Sequence, residues 1–364
     1  MRILLHASDR QVTGRARTLL AAARGLAARG HQVTFACPAD SALSRAASDA
    51  QLDLVALDPS GHKAGDAWGL RRQLQERFIE VVFVHTEREL FTVSSAMRLA
   101  ARGAVIRRVP VFCPVTTGTG SRLASKLAAT GLLFTTEAER ARAAGASRIP
   151  PAVAPLGVDV AALDAVEPVS RSTLGLSANA IFVACIYEPA ATLNAAAVLR
   201  SLALLAPRHP NLHVVMMGSG GDHDDVRMHG AALGVNHMVT YLPPRESMAP
   251  VLKSADMAWI VAHHDEGAYG FLDAMGMRIP VVATRDELSQ HYVADGISGT
   301  LLTESDPALT AATLAPCVGS AEIRKAMGNA GRARVQREFG EAAMIDGFER
   351  AADAAADRSR WTGR

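Results

Sequence analysis

Aromatic residues are scarce in this chain. Phenylalanine, tyrosine and tryptophan together make up 5% of its 364 residues, which favours helices packed closely on sheets over stacking platforms for bases. Net charge is equally small: 38 basic against 36 acidic residues leave +2, so nothing in the electrostatics calls for a nucleic-acid partner. The four cysteines, Cys37, Cys113, Cys185 and Cys317, lie far apart and mostly within apolar runs. They have neither metal-ligand nor disulfide spacing and read as buried, reduced thiols. No apolar run approaches the length of a membrane span, and the apolar part of MRILLHASD is too short for a signal peptide. A cytoplasmic location is expected. Also missing is a G-x-G-x-x-G after a first strand. The segment 8–14 holds one glycine, Gly14, which disfavours a dinucleotide oxidoreductase.

What the chain does have is alternation. Its length exceeds what one core usually supports, so two domains are expected. Apolar runs at 3–6, 33–37, 52–57, 81–85, 109–112 and 132–135 read as strands. Helical periodicity falls between them at 13–29, 41–49, 68–77, 90–102 and 121–129, and again at 137–144. Strand, helix and strand within about forty residues is the unit of a parallel sheet. Pro150 and Pro151 break the rhythm, and a strandless stretch at 160–177 reads as a linker. The pattern then restarts with strands at 181–186, 213–217, 239–242, 257–261, 281–283 and 299–302. Helices are expected at 193–205, 224–233 and 246–254, and from 307 to the C-terminus. Two doubly wound halves imply a cleft, with ligands at the carboxyl ends of the strands.

The chemistry concentrates in HDEGAYGFLDAMGMRIPVVAT, residues 264–284. It opens on Asp265 and Glu266, passes Gly267 and Gly270, and reaches Asp273 in an apolar run. The pattern predicts a loop feeding a helix N-terminus, with Asp273 one turn inside. Such a terminus presents N–H groups to a phosphate, and flanking carboxylates accept hydrogen bonds from sugar hydroxyls. Gly218, Gly220 and Gly221 follow a strand and precede a helix, where absent side chains let a nucleotide approach the backbone. His6 and His85 end strands that face the expected cleft. His263, His264 and Asp265 are adjacent but lack metal-ligand spacing, so no metal is expected. Basic residues cluster at Arg15, Arg17, Arg24 and Arg29 and again at Arg71, Arg72 and Arg77. These read as solvated helix faces, with peripheral contact at the inner face of a membrane as the alternative.

Taken together, blocks spread along the chain resemble the GT-B glycosyltransferases of the large retaining family 4. They are RTLLAAARGLAARGHQVTFACP, APLGVD, HVVMMGSGGDHDDV, LPPRESMAPVLKSADMAWIV, FLDAMGMRIPVVAT and DGISGTLL, in that order. The resemblance implies an α/β fold of two Rossmann-like domains. The first, 1–158, would bind acceptor and take back a C-terminal helix at 341–357; the second, 159–340, would bind donor. It also implies transfer from a nucleotide-diphosphate sugar to a glycan, lipid-linked or small-molecule acceptor, without metal or other cofactor. In the family's E-x7-E motif, Asp273 matches the ribose-binding position, and Glu266, or else Asp265, matches the sugar-binding one. The amides of Ala268, Tyr269, Gly270 and Phe271 would face the diphosphate, and His85, near the cleft wall, would join Glu266 and Asp265 as a candidate catalytic residue. Gly14, Arg15 and Thr116 would fall on the acceptor side.

Two departures stand out. The family's arginine and lysine after the first strand of the second half are replaced by a loop with no basic residue and an acid, Glu188. Cations there would stabilise a leaving diphosphate, so Arg245, Lys253 or Arg15 would have to reach in. Thr116, Thr117 and Gly118 stand where the family places a histidine. A non-catalytic relative acting as a binding or partner subunit is therefore the alternative, and a nucleotide-sugar epimerase is a third reading.

Overall fold

The computed structural model describes the chain apart from residues 58–62, 101–102, 116–118, 144–148, 189–191, 219–222, 244–246, 304–305 and 362–364. Two compact units emerge, Met1–Gly157 with Glu341–Arg364, and Val158–Gly340. Unit 1 runs β1 (Arg2–His6), α1 (Gly14–Ala28), β2 (Gln32–Pro38), α2 (Ala42–Asp49), β3 (Asp53–Leu57), α3 (Lys63–Glu76) and β4 (Val81–Val84). It continues with α4 (Glu87–Ala100), β5 (Ala104–Arg108), α5 (Thr119–Leu127), β6 (Ala129–Phe134), α6 (Glu137–Arg142) and β7 (Ala152–Val153). Its strands pair in parallel in the order β3-β2-β1-β4-β5-β6-β7.

Unit 2 runs α7 (Val160–Ala165), β8 (Ile181–Tyr187), α8 (Thr192–Leu205), β9 (Leu212–Gly218), α9 (Asp224–Ala232), β10 (Val239–Leu242) and α10 (Ala249–Lys253). Then come β11 (Met257–Val261), α11 (His264–Gly276), β12 (Val281–Thr284), α12 (Glu287–Tyr292), β13 (Gly299–Leu302), α13 (Pro307–Gly319) and α14 (Ala321–Glu338). The sheet order is β10-β9-β8-β11-β12-β13, again all parallel. Sheets covered on both faces need strands that are apolar throughout, and VVFV of β4 and MAWIV of β11 are buried at every position. In each unit the strand order reverses at the centre, beside β1 and beside β8, where such sheets open a crevice at their carboxyl edge.

One expected strand lies elsewhere. Residues 109–112 are not a strand; the fifth strand is Ala104–Arg108, between β4 and β6. Pro110 has no N–H to give a central ladder, and Phe112 takes a φ of 50°. The true strand was disguised by Arg107 and Arg108, which are buried rather than solvated. Arg108 donates to Thr135 Oγ1 at 3.1 Å, and Arg107 to the His85 carbonyl and to Glu87, both at 3.1 Å. The two-residue β7 had no sequence signal beside the paired prolines. The helix expected at 246–254 is the shorter α10, with Pro250 in its first turn.

A final helix, α15 (Glu341–Trp361), belongs to unit 1 and packs on α1 and on the strands from β4 to β7. Phe348 is fully buried with its ring 5.0 Å from Phe83. Two glycines let the helix come close: a Cβ at Gly25 would overlap Ile345, and one at Gly347 would overlap Ala154. Arg29 bridges to Asp346 and Glu349, each at 2.6 Å, His31 meets Glu349 at 2.8 Å, and Arg24 reaches Glu341 at 3.6 Å. Part of the first basic cluster is thus spent inside unit 1. Cys37, Cys185 and Cys317 are buried free thiols; burial pushes Cys37 and Cys317 up to about 11, which keeps them protonated. Among the described residues no helix is long and apolar enough to cross a membrane.

Removing the Phe348 ring leaves a void that α15 cannot close without losing its other contacts. Phe348→Ala is expected to cost about 3–5 kcal/mol in a urea titration; an unchanged midpoint would show that α15 does not contribute to the core.

Candidate functional site

At the carboxyl edge of the unit 2 sheet, β11 ends at Val261 and α11 begins at His264. The helix therefore starts earlier than the sequence pattern predicts, and this moves the expected groups. Asp265 and Glu266 fall in the first turn. Asp265 is 3% exposed and Glu266 half-buried. Asp273 lies in the last turn, buried. At 1.5 Å per residue it is about 12 Å along the axis from Asp265, so the two acids do not flank one terminus. Ala268, Tyr269, Gly270 and Phe271 are likewise interior to the helix and buried. Their N–H groups point back along the helix and cannot face a diphosphate.

The glycines in α11 have a packing reason. A Cβ at Gly267 would overlap the Ala262 carbonyl and lie 2.9 Å from Leu288 Cδ2, and one at Gly270 would stand 3.1 Å from Ile260 Cγ2. Bare backbone lets the helix press onto the end of β11. That close seat brings His263 and His264 beside Glu188, which follows β8. The Glu188 N–H donates to the Val261 carbonyl at 3.4 Å, and its carboxylate accepts from the backbone N–H of His263. Burial pushes the Glu188 carboxyl up, while that amide and the His263 and His264 imidazoles act in the opposite sense. The two imidazoles are exposed, with centroids 6.5 Å apart, and His264 has a φ of 47°, a conformation that side chains other than glycine adopt at some cost. Among the described residues no three metal-capable side chains cluster.

Beside this group, Tyr187 at the end of β8 bonds to His223, whose other ring nitrogen meets the Leu242 carbonyl. The Tyr241 ring stands 5.8 Å from that of His223. A Cβ at Gly218 would lie 3.0 Å from the Tyr187 ring. The space that glycine opens at 218 is taken by tyrosine, not left for a ligand. Gly220, Gly221 and Arg245 lie outside the described residues. Lys253 donates to the Leu163 carbonyl at 3.0 Å.

The carboxyl edge of unit 1 is organised by a residue that sequence reasoning missed. Glu89, in the first turn of α4, accepts from Ser8 N and Oγ at 2.8 and 2.6 Å, from His85 N at 2.9 Å and from Thr86 N at 2.8 Å. It thereby ties the β1 loop to the end of β4. Burial by itself drives its carboxyl up, but the His6 charge, the Ser8 and Thr86 donors and His85 outweigh it and hold it at about 2. The signal was there: Thr86-x-x-Glu89 is a capping box, repeated by Thr136 and Glu139 after β6. His85 is buried, with its ring nitrogens against the carbonyls of Arg15 and Arg108; the structure gives it a bracing position. Arg15 holds Asp9 Oδ1 through Nε and Nη2 at 2.9 and 2.7 Å. Gly14 is the buried first residue of α1, capped by Thr13. Thr116 lies outside the described residues.

Two parallel sheets of seven and six strands, each wrapped by helices, define the GT-B class. The structure of HepE from Anabaena with UDP and glucose superposes with a TM-score of 0.79 at 17% identity, covering 97% of this chain and 100% of that one. WaaG, a glycosyltransferase involved in lipopolysaccharide biosynthesis, gives 0.67 at 15%, covering 97% and 99%. At such identities the likeness is one of fold. Residues 12–162 match the model of Glycosyltransferase Family 4, and residues 177–334 that of Glycosyl transferases group 1. The chain belongs to the GT-B glycosyltransferases of this family 4 type. The D-inositol 3-phosphate glycosyltransferase of Mycolicibacterium gilvum is 32% identical over 166 residues, covering 43% of this chain and 37% of that protein. The lipopolysaccharide core biosynthesis glycosyltransferase LpsE of Rhizobium meliloti is 23% identical over 141 residues, covering 39% and 42%. The chain thus spans less than half the length of these relatives.

Two substitutions test the geometry. Gly267→Ala forces a methyl into the Ala262 carbonyl and is expected to cost about 1–3 kcal/mol in a urea titration. Glu89 has a folded value below the ordinary 4.5, so its stabilisation is complete above that pH and is lost as pH falls towards 2. The shift corresponds to about 3 kcal/mol. Glu89→Gln should cost about that at neutral pH and progressively less in acid, flattening the acid limb of a stability–pH curve; a parallel offset at every pH would refute the assignment.

Proposed function

We propose that the chain transfers a sugar from a nucleotide-diphosphate donor, bound at the carboxyl edge of unit 2, to a glycan, lipid-linked or small-molecule acceptor bound by unit 1, with retention at the anomeric carbon. One observation carries this reading. In the half matched by the group 1 model, His263, His264, Asp265 and Glu266 gather at the start of α11 beside the strand-order reversal of the sheet. The helix terminus favours a diphosphate, the two acids suit sugar hydroxyls, and imidazoles, cationic when protonated, add charge stabilisation. HepE structures with UDP and with UDP-glucose support a donor of this kind. Holding donor and acceptor in line would supply much of the rate.

Glu188 favours a second reading, a relative that keeps the fold as a binding or partner subunit. It puts an acid where an arginine or lysine would neutralise the leaving group, and burial raises its cost of ionisation.

A thermal-shift screen against UDP, GDP and ADP and their sugars separates the two. At a ligand concentration a hundredfold above Kd, a bound nucleotide stabilises by about 2.7 kcal/mol. The donor reading expects such a shift for one base, abolished in Asp265→Ala. Asp273→Ala should instead lower the unliganded midpoint and keep the ligand shift, because that acid lies at the far end of α11. No shift with any nucleotide would favour the partner subunit. For turnover, D-inositol 3-phosphate is the first acceptor to assay, and release of free sugar or epimer without acceptor would argue for an epimerase.

Glu188 also sets a pH dependence. Its raised value means that its negative charge is lost as pH falls through the folded value, removing repulsion from a diphosphate. Nucleotide affinity is expected to rise on acidification, and Glu188→Gln should bind several-fold tighter at neutral pH with a flatter profile in calorimetry. Unchanged affinity would place the diphosphate elsewhere.

A further inference from the structure

We propose that the corner of unit 2 where α7, α10 and α14 meet the C-terminal end of α11 is a binding site for a phosphate dianion, taken as the free ion or as a small soluble monoester. Asp164 of α7 stands at its centre. Its Oδ2 meets Arg332 Nη2 at 2.5 Å, and its Oδ1 faces Arg278 Nη1 at 3.7 Å. Lys253, the last residue of α10, donates to the adjoining Leu163 carbonyl at 3.0 Å, and its charge also acts on the Asp164 carboxylate. Three cations thus converge on one acid. Among the described residues neither Arg278 nor Lys253 has another ion pair. Lys325, exposed on α14, lies one turn before Gly328, where a Cβ would overlap the Arg278 carbonyl. Residues three apart share a helix face, so Lys325 extends the positive patch on the Arg278 side.

Packing holds these groups in place. A Cβ at Gly276 would overlap Leu163 Cδ1, so bare backbone in the last turn of α11 seats α7 directly on it. Arg332 is 6% exposed and donates to the Gly276 carbonyl, yet its Nε is enclosed and meets no acceptor among the described residues. A buried donor left without an acceptor costs free energy that an incoming oxyanion recovers, and the planar guanidinium fork matches phosphate oxygens. The carboxyl end of a helix disfavours an anion, but Arg332 already occupies the Gly276 carbonyl there. Arg278, 54% exposed, leaves the approach open, and Asp164, 46% exposed, is the group that an external anion displaces. Charge fixes the ligand class. With Asp164 in place the three cations leave two positive charges, which a phosphate dianion balances. Gly276 stands about 18 Å along α11 from His264, so this site is separate from the carboxyl edge and does not depend on glycosyl transfer.

The test is titration of the full chain with inorganic phosphate and with glycerol 3-phosphate, followed by calorimetry and by thermal shift, against sodium chloride at matched ionic strength. The wild type is expected to bind phosphate saturably and to gain stability from it beyond the effect of the salt. Arg278→Gln and Lys253→Gln should each weaken binding about tenfold. Asp164→Asn removes the internal competitor and should bind about tenfold tighter, regaining with phosphate the stability that it loses without it. An Asp164 whose only role is to pair Arg332 predicts that loss with no recovery, and this outcome overturns the proposal. Equal affinity for glycerol 3-phosphate assigns the site to phosphate esters, and preference for inorganic phosphate assigns it to the free ion; both support a dianion site. Binding of the ester should weaken below a pH of about 6, where it loses its second charge. No saturable binding of either probe at low salt overturns the proposal, as does wild-type affinity in Arg278→Gln.

Discussion

The contact between Gly267 and the Ala262 carbonyl sets the geometry of the candidate site. A parallel strand that ends at a switch point must be followed by a helix lying almost on top of it, and every atom of side chain in the seam moves that helix outward. Here the seam holds bare backbone at 267 and 270. The helix consequently begins almost as soon as the strand ends, and His263 and His264 meet the residue after β8. A larger residue at either glycine would change which groups share the edge, even with every functional side chain intact. The sugar-nucleotide reading rests on packing as much as on acids.

The sheets were legible in the sequence because strands buried on both faces leave apolar runs, and eleven of the twelve runs read as strands fall on strands of the two sheets. Where the reading slipped, a residue was doing something other than its commonest task. Arg107 and Arg108 look like the end of a strand and the start of solvent, yet both are buried within β5. Gly267 and Gly270 look like loop residues, yet they are helical and in contact with β11. His85 sits at a strand end as a catalytic base might, yet its ring braces two carbonyls. Partners far apart in sequence decided the rest. Nothing in residues 15–29 says that Asp346 and Glu349 will meet Arg29, and nothing in residues 71–77 says that Asp53 will meet Arg77.

The two carboxyl edges treat their acids in opposite ways. In unit 1, Glu89 is buried but surrounded by donors, so its charge is more stable there than in water. In unit 2, Glu188 is partly buried with one amide and two imidazoles beside it, and burial prevails. The first arrangement fixes a loop; the second leaves a carboxyl whose protonation responds to whatever anion comes near. Edges of the same architecture can thus be a rigid floor in one sheet and a responsive surface in the other.

The placement of α15 has a consequence for how the molecule is made. Its sheet in unit 1 is complete by Val153, but the helix that covers β5 to β7 is encoded after residue 340. On a ribosome, that apolar face waits through the synthesis of an entire second sheet before its own cover emerges. Unit 1 is thus a late finisher despite being translated first, and during that interval it is a natural client for chaperones that recognise exposed apolar surface.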